Sequence, residues 1–585
     1  MSVPKTNADH APNTATADRP GGFIHYANLI SKLTFLSRIF GLLRDKACGY
    51  FLGVGTTWSA FWMGFQFPNL FRRIFGEGAL TAVFLPVYTR LRQQQGQEAA
   101  NQLARAIVVL LTVVLVAIML VGEAMVAPLA LSHAVSSANR LAAGMIALML
   151  PYSVYVCLVA LLGAIAASHE RFAAQAAAPI ILNIAMALAA AIPVLIWTWR
   201  YPVRLRVIWV AVAVLIAGMV QLLLMFIAVK RAGVRLSGGW RIIPPNGGGT
   251  IRAAIGEIVR AMLPMTIGLS VVQLNVFMDS QIAWWFSPDG HAGRTIFGLL
   301  GMHIHTPLLA GALGKLSVAQ RIYMLPVGIF GVATATAVFP RLSAAAGRPA
   351  EVKQILQAAL RKSLFLSIPA TAGMILIAHT LITAIYMGGR VSADDVDRAT
   401  WAARWFCAGI WAFEIQMLLV RVFYAHRDAA TPMKIAVAMV FLNLALNLLL
   451  IWFMQVGGLA ASTSISAVVQ VGVLAWLVRK RFGPLEPRAV GPLVGKSLLA
   501  TALMTLFAWI VNTQLRGIPM LGPGHRLLGA LVRLPAVVLT AAIVYGLASR
   551  WLGVAELAEA PVIRIFRRKN SSPAGPPNDP AASRQ

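Results

Sequence analysis

Apolar segments long enough to cross a lipid bilayer recur along this chain of 585 residues. A transmembrane helix needs about 20 mostly apolar residues, and about fourteen runs of this kind follow one another. They lie at 25–52, 57–90, 104–130, 140–167, 177–198, 207–229, 254–286, 308–343, 354–385, 399–423, 434–453, 458–478, 493–515 and 526–553. Only 12% of the residues are charged and the mean hydropathy is +0.74, whereas soluble domains carry about 25% charged residues. The sequence therefore predicts an all-α integral membrane protein with about 14 transmembrane helices.

The charge of the chain is strongly positive, with 50 Lys and Arg residues against 20 Asp and Glu residues. In a soluble protein this excess would indicate a nucleic-acid partner. Here most basic residues lie in short loops between apolar runs, where they set the orientation of the protein and attract anionic membrane lipids. One set of alternate loops holds roughly twice as many basic residues as the other. This bias predicts that both termini are cytoplasmic, and nucleic acid is not expected as a partner.

Two pairs of segments resemble each other across the chain. Residues 68–91, PNLFRRIFGEGALTAVFLPVYTRL, resemble residues 326–346, PVGIFGVATATAVFPRLSAAA. Residues 163–186, GAIAASHERFAAQAAAPIILNIAM, similarly resemble residues 422–446, VFYAHRDAATPMKIAVAMVFLNLAL. In each pair the second copy comes about six helices after the first. This spacing predicts two six-helix bundles in parallel orientation around a central cavity, a recurrent transporter design.

The repeat divides the chain into predicted regions. The expected regions are a cytoplasmic disordered tail over 1–24, an N-terminal six-helix bundle over 25–230, a cytoplasmic linker over 231–253, a C-terminal six-helix bundle over 254–480, two further helices over 493–553, and a disordered tail over 567–585. Both tails are polar and too poor in apolar residues to fold alone. A loop insertion over 287–315 is expected between the seventh and eighth helices.

Charged side chains interrupt several of the predicted spans. They are Lys32, Arg38, Arg44 and Asp45 in the first helix, Arg72, Arg73 and Glu77 in the second, and Arg321 in the eighth. A charge at the bilayer centre costs ~2.5–3.5 kcal/mol, so it usually faces a cavity or a partner. Single side chains of this kind also snorkel to the interface or form structural pairs. As a set, however, the arginines outnumber the acids, and guanidinium groups bind phosphate in a bidentate manner. A cationic cavity for an anionic, phosphate-bearing cargo is therefore predicted.

Four segments together resemble a known family. They are SRIFGLLRD at 37–45, FQFPNLFRRIFGEGALTAVFLPVYTRL at 65–91, AQRIYMLPVGIFGVATATAVFP at 319–340 and FYAHRDAATPMKIAV at 423–437. They resemble the MurJ (MviN) family of lipid II flippases, within the multidrug/oligosaccharidyl-lipid/polysaccharide exporter superfamily. The likeness runs from about Leu29 to Arg481.

This resemblance implies a transporter rather than an enzyme. Its cargo would be the lipid-linked peptidoglycan precursor, moved by alternating access from the inner to the outer leaflet of the bacterial plasma (inner) membrane for cell-wall synthesis. The disaccharide-pentapeptide head and the pyrophosphate would pass through the cavity while the polyprenyl tail stays in lipid. Other cell-wall synthesis proteins are expected as partners.

The resemblance also implies which residues bind the cargo. The cavity arginines of the family match Arg38, Arg44, Arg72 and Arg321, with Asp45 and Glu77 as acidic positions of the same site. Two departures stand out, because Ser59 and Gln320 occupy positions where the family often has an acidic residue. We therefore expect a more positive cavity than is usual in the family.

The sequence offers no sign of ATP hydrolysis. GPLVGKS at 491–497 is one residue short of a Walker A motif and begins an apolar helix, so the membrane potential or an ion gradient is expected to drive transport. The resemblance implies no cofactor other than Na⁺ bound between the seventh and eleventh helices, where Asp279 and Asp428 are the carboxylates. Asp428 is alternatively a helix cap or a partner of Arg427.

Two other functions remain open at this point. One is a flippase for a different polyprenyl-pyrophosphate-linked oligosaccharide, which shares the pyrophosphate group. The other is a drug or cation exporter of the same superfamily, which would favour acidic residues in its cavity rather than arginines.

Overall fold

The computed structural model describes residues 20–76, 79–197, 202–236, 248–290, 295–299, 302–484, 487–518 and 526–559. Within these residues the chain forms sixteen α-helices and one two-stranded antiparallel hairpin. The helices are α1 (Pro20–Leu52), α2 (Thr56–Phe71), α3 (Ala79–Leu131), α4 (Ser137–Ala167), α5 (Ala173–Trp197), α6 (Val203–Arg231), α7 (Gly248–Trp285), α8 (Ala312–Pro326), α9 (Val332–Ala344), α10 (Pro349–Tyr386), α11 (Ala393–Ala408), α12 (Ile410–Ala425), α13 (Ala430–Met454), α14 (Val456–Phe482), α15 (Pro487–Gly517) and α16 (Arg526–Trp551). The hairpin consists of β1 (Thr295–Leu299) and β2 (Met302–His305).

The length and apolar character of the helices confirm a multi-pass membrane protein. In the described part of the chain, ten helical segments are long and apolar enough to cross a membrane, or eleven if the bent pair α11–α12 forms one span. α1, α2 and α7 are outside this set. α2 has only 16 residues, and α1 carries several of the predicted intramembrane charges. The number of fourteen spans therefore stays a prediction.

The first pair of repeated segments shares an interrupted helix. In the first copy, α2 leads into a π-helical turn at Arg72–Gly76, and the chain continues into α3, which breaks at Gly96 with a φ of 87°. In the second copy, α8 leads into a π-helical turn at Val327–Gly331 and continues as α9. Pro326 directly precedes the second π-helical turn and Pro68 lies four residues before the first. A proline removes a backbone donor and loosens the helix. The matching interruptions agree with the predicted repeat.

The second pair of repeated segments shares an unusual turn. Glu170, in the turn between α4 and α5, has a φ of 62°, and Arg427, in the turn between α12 and α13, has a φ of 59°. Left-handed backbone is uncommon outside glycine, and these residues occupy equivalent places in SHER and AHRD. The two halves therefore share the same backbone conformation at this turn, although the side chains there carry opposite charges.

The helices pack into two groups joined along one side. In the first group, α4 packs against α2, α3 and α6, while α5 packs against α1 and α6. In the second group, α11 packs against α8, α10 and α14, while α13 packs against α7 and α14. α15 and α16 pack against each other and against α10. Each group thus buries one helix, α4 or α11, among several neighbours, and the last two helices attach to the second group.

The two groups meet where α3 packs against α7, and also at the end of the bundle that holds the turn between α1 and α2, here called the α1–α2 end. The Gly314 N–H at the start of α8 donates to Ser59 Oγ on α2 at 2.9 Å. A Cβ atom at position 314 would collide with the Val54 carbonyl oxygen. Glycine is therefore required for α8, which carries Arg321, to approach the first group this closely.

The segment 287–315 is more ordered than a loop insertion. It contains the β1–β2 hairpin, and its last four residues form the first turn of α8. Asp289 is buried, accepting from Thr56 Oγ1 at 2.6 Å and from the Gly311 N–H at 2.8 Å. Lys315 is also buried and pairs with Asp395 at 3.0 Å. The expectation of a plain loop over 287–315 is thus corrected, because its two ends pack between the helix groups.

Replacing Gly314 with alanine should destabilise the contact at the α1–α2 end. The added Cβ collides with backbone rather than with a flexible side chain, so we expect a cost of about 1–3 kcal/mol and a lower Tm of the purified protein. Gly256→Ala in α7 is the matched control, because a Cβ there meets no atom within 4 Å. Equal melting temperatures for the two variants would contradict the close approach.

Candidate functional site

Arg44 projects from α1 toward α5. Its Nη1 donates to Asn183 Oδ1 on α5 at 2.7 Å, and Asn183 Nδ2 donates to the Ser37 carbonyl oxygen at 3.1 Å. Ser37 and Arg44 are seven residues apart, which places them on one face of α1. The asparagine therefore fixes the arginine on the α5 side of the helix.

Asp45 is shared by two arginines. Its Oδ1 accepts from Arg44 Nε at 3.0 Å and from Arg44 Nη2 at 2.8 Å. The same oxygen accepts from Arg321 Nη1 on α8, and the Arg321 guanidinium lies 5.0 Å from the ring centre of Trp62. Because two guanidinium groups surround one carboxylate, the cluster keeps one net positive charge and links the two helix groups.

A cavity of about 530 Å³ opens beside this cluster, among α1, α2, α4, α5 and α6. Arg44 lines it together with Arg72 from the π-helical turn, whose Nη2 donates to Asn69 Oδ1 at 3.0 Å. The other polar side chains of the lining are neutral, and the described lining contains no carboxylate. The charged residues of the described lining are thus both arginines, which suits an anionic group.

The other residues predicted for this site lie elsewhere. Arg321 lines a separate void of only about 10 Å³ together with Asp45, so it reaches the cavity only through the shared carboxylate. Arg38 is exposed on α1 and makes no hydrogen bond or ion pair with the described residues. Glu77 lies outside the described residues. The cavity holding Arg44 and Arg72 therefore belongs to the first helix group, rather than running between the two groups.

A second polar site surrounds Asp279, which is buried on α7. Its Oδ1 accepts from Asn447 Nδ2 on α13 at 2.6 Å, and Thr463 Oγ1 on α14 lies 3.2 Å from its Oδ2. The amide of Asn443 satisfies its neighbours when its nitrogen faces Asp279 Oδ1, at 2.9 Å. Asn447 Oδ1 is buried and accepts no hydrogen bond from the described residues. Amide and hydroxyl donors from α13 and α14 thus converge on the carboxylate of α7.

Asp428 does not belong to this site. Its Oδ1 accepts from the Thr431 N–H at 3.0 Å at the start of α13, and its Oδ2 lies 3.1 Å from Arg481 Nη1. Burial alone would raise the pKa of this carboxyl, but the hydrogen bonds from Thr431 and Arg481 lower it. Asp428 therefore has the capping role that the sequence offered as its alternative, and its ion-pair partner is Arg481 rather than Arg427.

Comparison with known proteins agrees with this geometry. The model of the family described as "Lipid II flippase MurJ" matches residues 48–520. The chain belongs to this family. It is 29% identical over 492 residues to the "Probable lipid II flippase MurJ" of Rickettsia prowazekii, covering 83% of this chain and 89% of that protein. It is 27% identical to the "Lipid II flippase MurJ" of Burkholderia cenocepacia, covering 81% of this chain and 88% of that protein.

The solved structures show the same fold. A structure described as "Lipid II flippase MurJ, inward closed conformation" aligns with a TM-score of 0.68 at 20% identity, over 90% of this chain and 99% of that one. An inward-facing multidrug resistance MATE family transporter aligns with a TM-score of 0.58 at 14% identity, over 79% of this chain and 99% of that one. The MurJ family and the MATE transporter thus share one helical architecture.

Within the MurJ fold, the structure adds residues that the sequence motifs did not single out. Asn183 orients Arg44, while Asn443, Asn447 and Thr463 complete the Asp279 site. The sequence signal that could have found these residues is a polar side chain inside an apolar helix. A polar group in hydrocarbon needs a partner, so such a residue predicts a polar contact. Ser59, at an often acidic family position, accepts a hydrogen bond from Gly314 instead of adding charge to the cavity.

Replacing Asp45 with asparagine should destabilise the protein by about 3–5 kcal/mol, because two partly buried guanidinium groups lose their shared charge partner. The double variant Asp45→Asn with Arg321→Gln should recover part of this loss, since it removes one uncompensated charge. The measurement is the free energy of unfolding of each purified variant.

The matched control is Glu351→Gln, which breaks an exposed pair with Arg348 and should change stability by less than about 1 kcal/mol. A double variant no more stable than Asp45→Asn alone would show that Asp45 and Arg321 are not energetically coupled.

Proposed function

We propose that this chain is a lipid II flippase that moves the lipid-linked peptidoglycan precursor from the inner to the outer leaflet of the bacterial plasma membrane. The observation that carries the proposal is the cavity whose charged lining residues, among those described, are the two arginines Arg44 and Arg72. A pyrophosphate diester offers the oxygen acceptors that two guanidinium groups bind best. Membership of the MurJ family and the relatives named as lipid II flippases support this cargo.

Cargo binding would be coupled to the arrangement of the helix groups through Asp45. The carboxylate satisfies Arg44 and Arg321 in the described state, and a pyrophosphate bound to Arg44 competes with it. Weakening that pair loosens the connection between α1 and α8. A ligand shifts a conformational equilibrium only through its different affinity for the two states, and this competition supplies such a difference.

The protein would act as a secondary transporter without chemical turnover. Both termini would be cytoplasmic, as the distribution of basic loop residues favours, and the membrane potential would contribute about 2.3 kcal/mol per charge per 100 mV. Its partners would be the lipid-linked precursor, the surrounding membrane lipids and other cell-wall synthesis proteins.

Na⁺ is proposed as the coupling ion at the Asp279 site. The residues fit this ion because they can supply oxygen ligands: the Asp279 carboxylate, the Thr463 hydroxyl and Asn447 Oδ1, which accepts no hydrogen bond from the described residues. Asn447 Nδ2 faces the carboxylate at 2.6 Å, so its amide would turn to present this oxygen. A bound cation would supply positive charge between α7, α13 and α14. Asp428 is no part of this proposal, since Thr431 and Arg481 already occupy its carboxylate.

Alanine at Arg44 or Arg72 should abolish most flipping, because each variant removes one of the two cations of the cavity. Lysine at either position should restore only part of the activity, since it lacks the bidentate fork. The measurement is translocation of lipid-linked precursor in proteoliposomes. Arg348→Ala, an exposed position before α10, should leave transport unchanged, and full activity of both cavity variants would contradict the proposal.

Asp279→Asn should remove the effect of Na⁺ on the protein. We expect NaCl to raise the Tm of the wild type above its value in choline chloride, and this difference to vanish in the variant. Asp428→Asn should keep the difference, because its carboxylate lies at the α12–α13 turn. Loss of the sodium effect in Asp428→Asn alone would contradict the assignment to Asp279.

A further inference from the structure

A second basic pocket lies far from the arginine cavity, where α10 and α15 end and α11 and α16 begin. Its volume is about 300 Å³, and its charged or titratable lining residues are His379, Asp397, Arg516, Arg526 and Arg533. Three arginines thus face one aspartate. Neither the MurJ motifs nor the predicted transport path includes these residues.

Arg533 is the central feature of this pocket. The residue is only 6% exposed, and its Nε donates to the Gly529 carbonyl oxygen at 3.0 Å. Among the described residues, its two Nη atoms make no hydrogen bond and no ion pair. A buried guanidinium without a counter-ion is costly, so a group with negative charge is needed beside it.

The acidic residues nearest to the pocket already have polar partners. Asp397 lies 3.1 Å from His379 Nε2, a partner that is charged only when protonated, so a single carboxylate faces the three arginines. Asp394 pairs with Arg398 at 2.6 Å, and Asp395 pairs with Lys315 at 3.0 Å. The start of α11 therefore contributes three carboxylates, each with its own partner.

The other two arginines of the pocket, Arg516 and Arg526, are exposed and add two further positive charges. Arg516 ends α15 and Arg526 begins α16, and neither makes a hydrogen bond or an ion pair with the described residues. Three guanidinium groups around one small pocket repel one another. A tetrahedral oxyanion relieves this repulsion and accepts several N–H donors at once.

The surroundings of the pocket favour a lipid as the source of that anion. Trp509 and Ile510 on α15 are exposed, as are Leu528, Leu531 and Val532 on α16. These apolar side chains lie within two turns of the arginines, on helices that are long and apolar enough to cross a membrane. A ligand that is anionic at its head and apolar along its tail matches both features, because arginines bind the phosphate and the exposed apolar side chains contact the tail.

We propose that the pocket formed by Arg516, Arg526 and Arg533 binds the phosphate of an anionic phospholipid. The lipid neutralises the buried Arg533 and attaches α15–α16 to α10 and α11. This site is separate from the cargo cavity and holds whether or not the chain moves lipid II.

The test measures lipid binding by the full-length protein in detergent, after delipidation, with native mass spectrometry. Phosphatidylglycerol should bind the wild type in preference to phosphatidylcholine. Its affinity should fall about tenfold or more in Arg533→Gln and in Arg526→Gln, since each loses charge-assisted hydrogen bonds. Arg526 is exposed, so its variant keeps the test valid if Arg533→Gln does not fold.

Arg550→Gln is the matched control, because Arg550 is an exposed arginine in the last turn of the same helix. It should bind phosphatidylglycerol as the wild type does. Equal binding of both phospholipids, or unchanged binding in both pocket variants, overturns the proposal. Inorganic phosphate is the second probe: if it raises the Tm of the wild type but not of Arg526→Gln, while phosphatidylglycerol shows no preference, the lipid assignment is overturned in favour of a soluble anion.

Discussion

The ion cluster at Asp45 connects the two halves of this protein. Arg44 and Arg321 come from α1 and α8, and the single carboxylate between them accepts from both. Charges in an apolar environment persist only when they are paired, so the position of α8 depends on the position of α1. The close approach at Gly314 holds the same two parts together at the α1–α2 end. Any anion that competes for Arg44 therefore acts on the contact between the halves.

The internal repeat gives both halves the same backbone but different chemistry. Each half has a π-helical turn after a proline and a left-handed residue in a later turn. In the first half, Arg72 lies in the π-helical turn and lines the cationic cavity. In the second half, the polar site forms around Asp279 from neutral amide and hydroxyl groups. One scaffold thus carries a cavity lined by two arginines in its first half and a buried carboxylate with amide and hydroxyl partners in its second half.

The motif residues were a good guide to which charged side chains lie near one another. Arg44, Asp45 and Arg321 meet as one cluster, and Arg72 shares a cavity with Arg44. The sequence could not show that Arg321 is separated from that cavity by Asp45. It also placed Asp428 beside Asp279, because helix order indicates which helices are neighbours but not the depth of each side chain along them.

The sequence by itself determined the membrane class, the repeat and the excess of intramembrane arginine, because apolar length, self-similarity and residue type are local properties that lipid and water enforce directly. The tertiary structure alone decided which charges pair. Asn183 fixes Arg44, Asp289 and Lys315 are buried near the two ends of 287–315, and Arg533 remains buried without a described counter-ion. Such pairings depend on the rotation and axial position of packed helices, and many registers of the same apolar faces have nearly the same burial energy. Only the complete packing selects one of them.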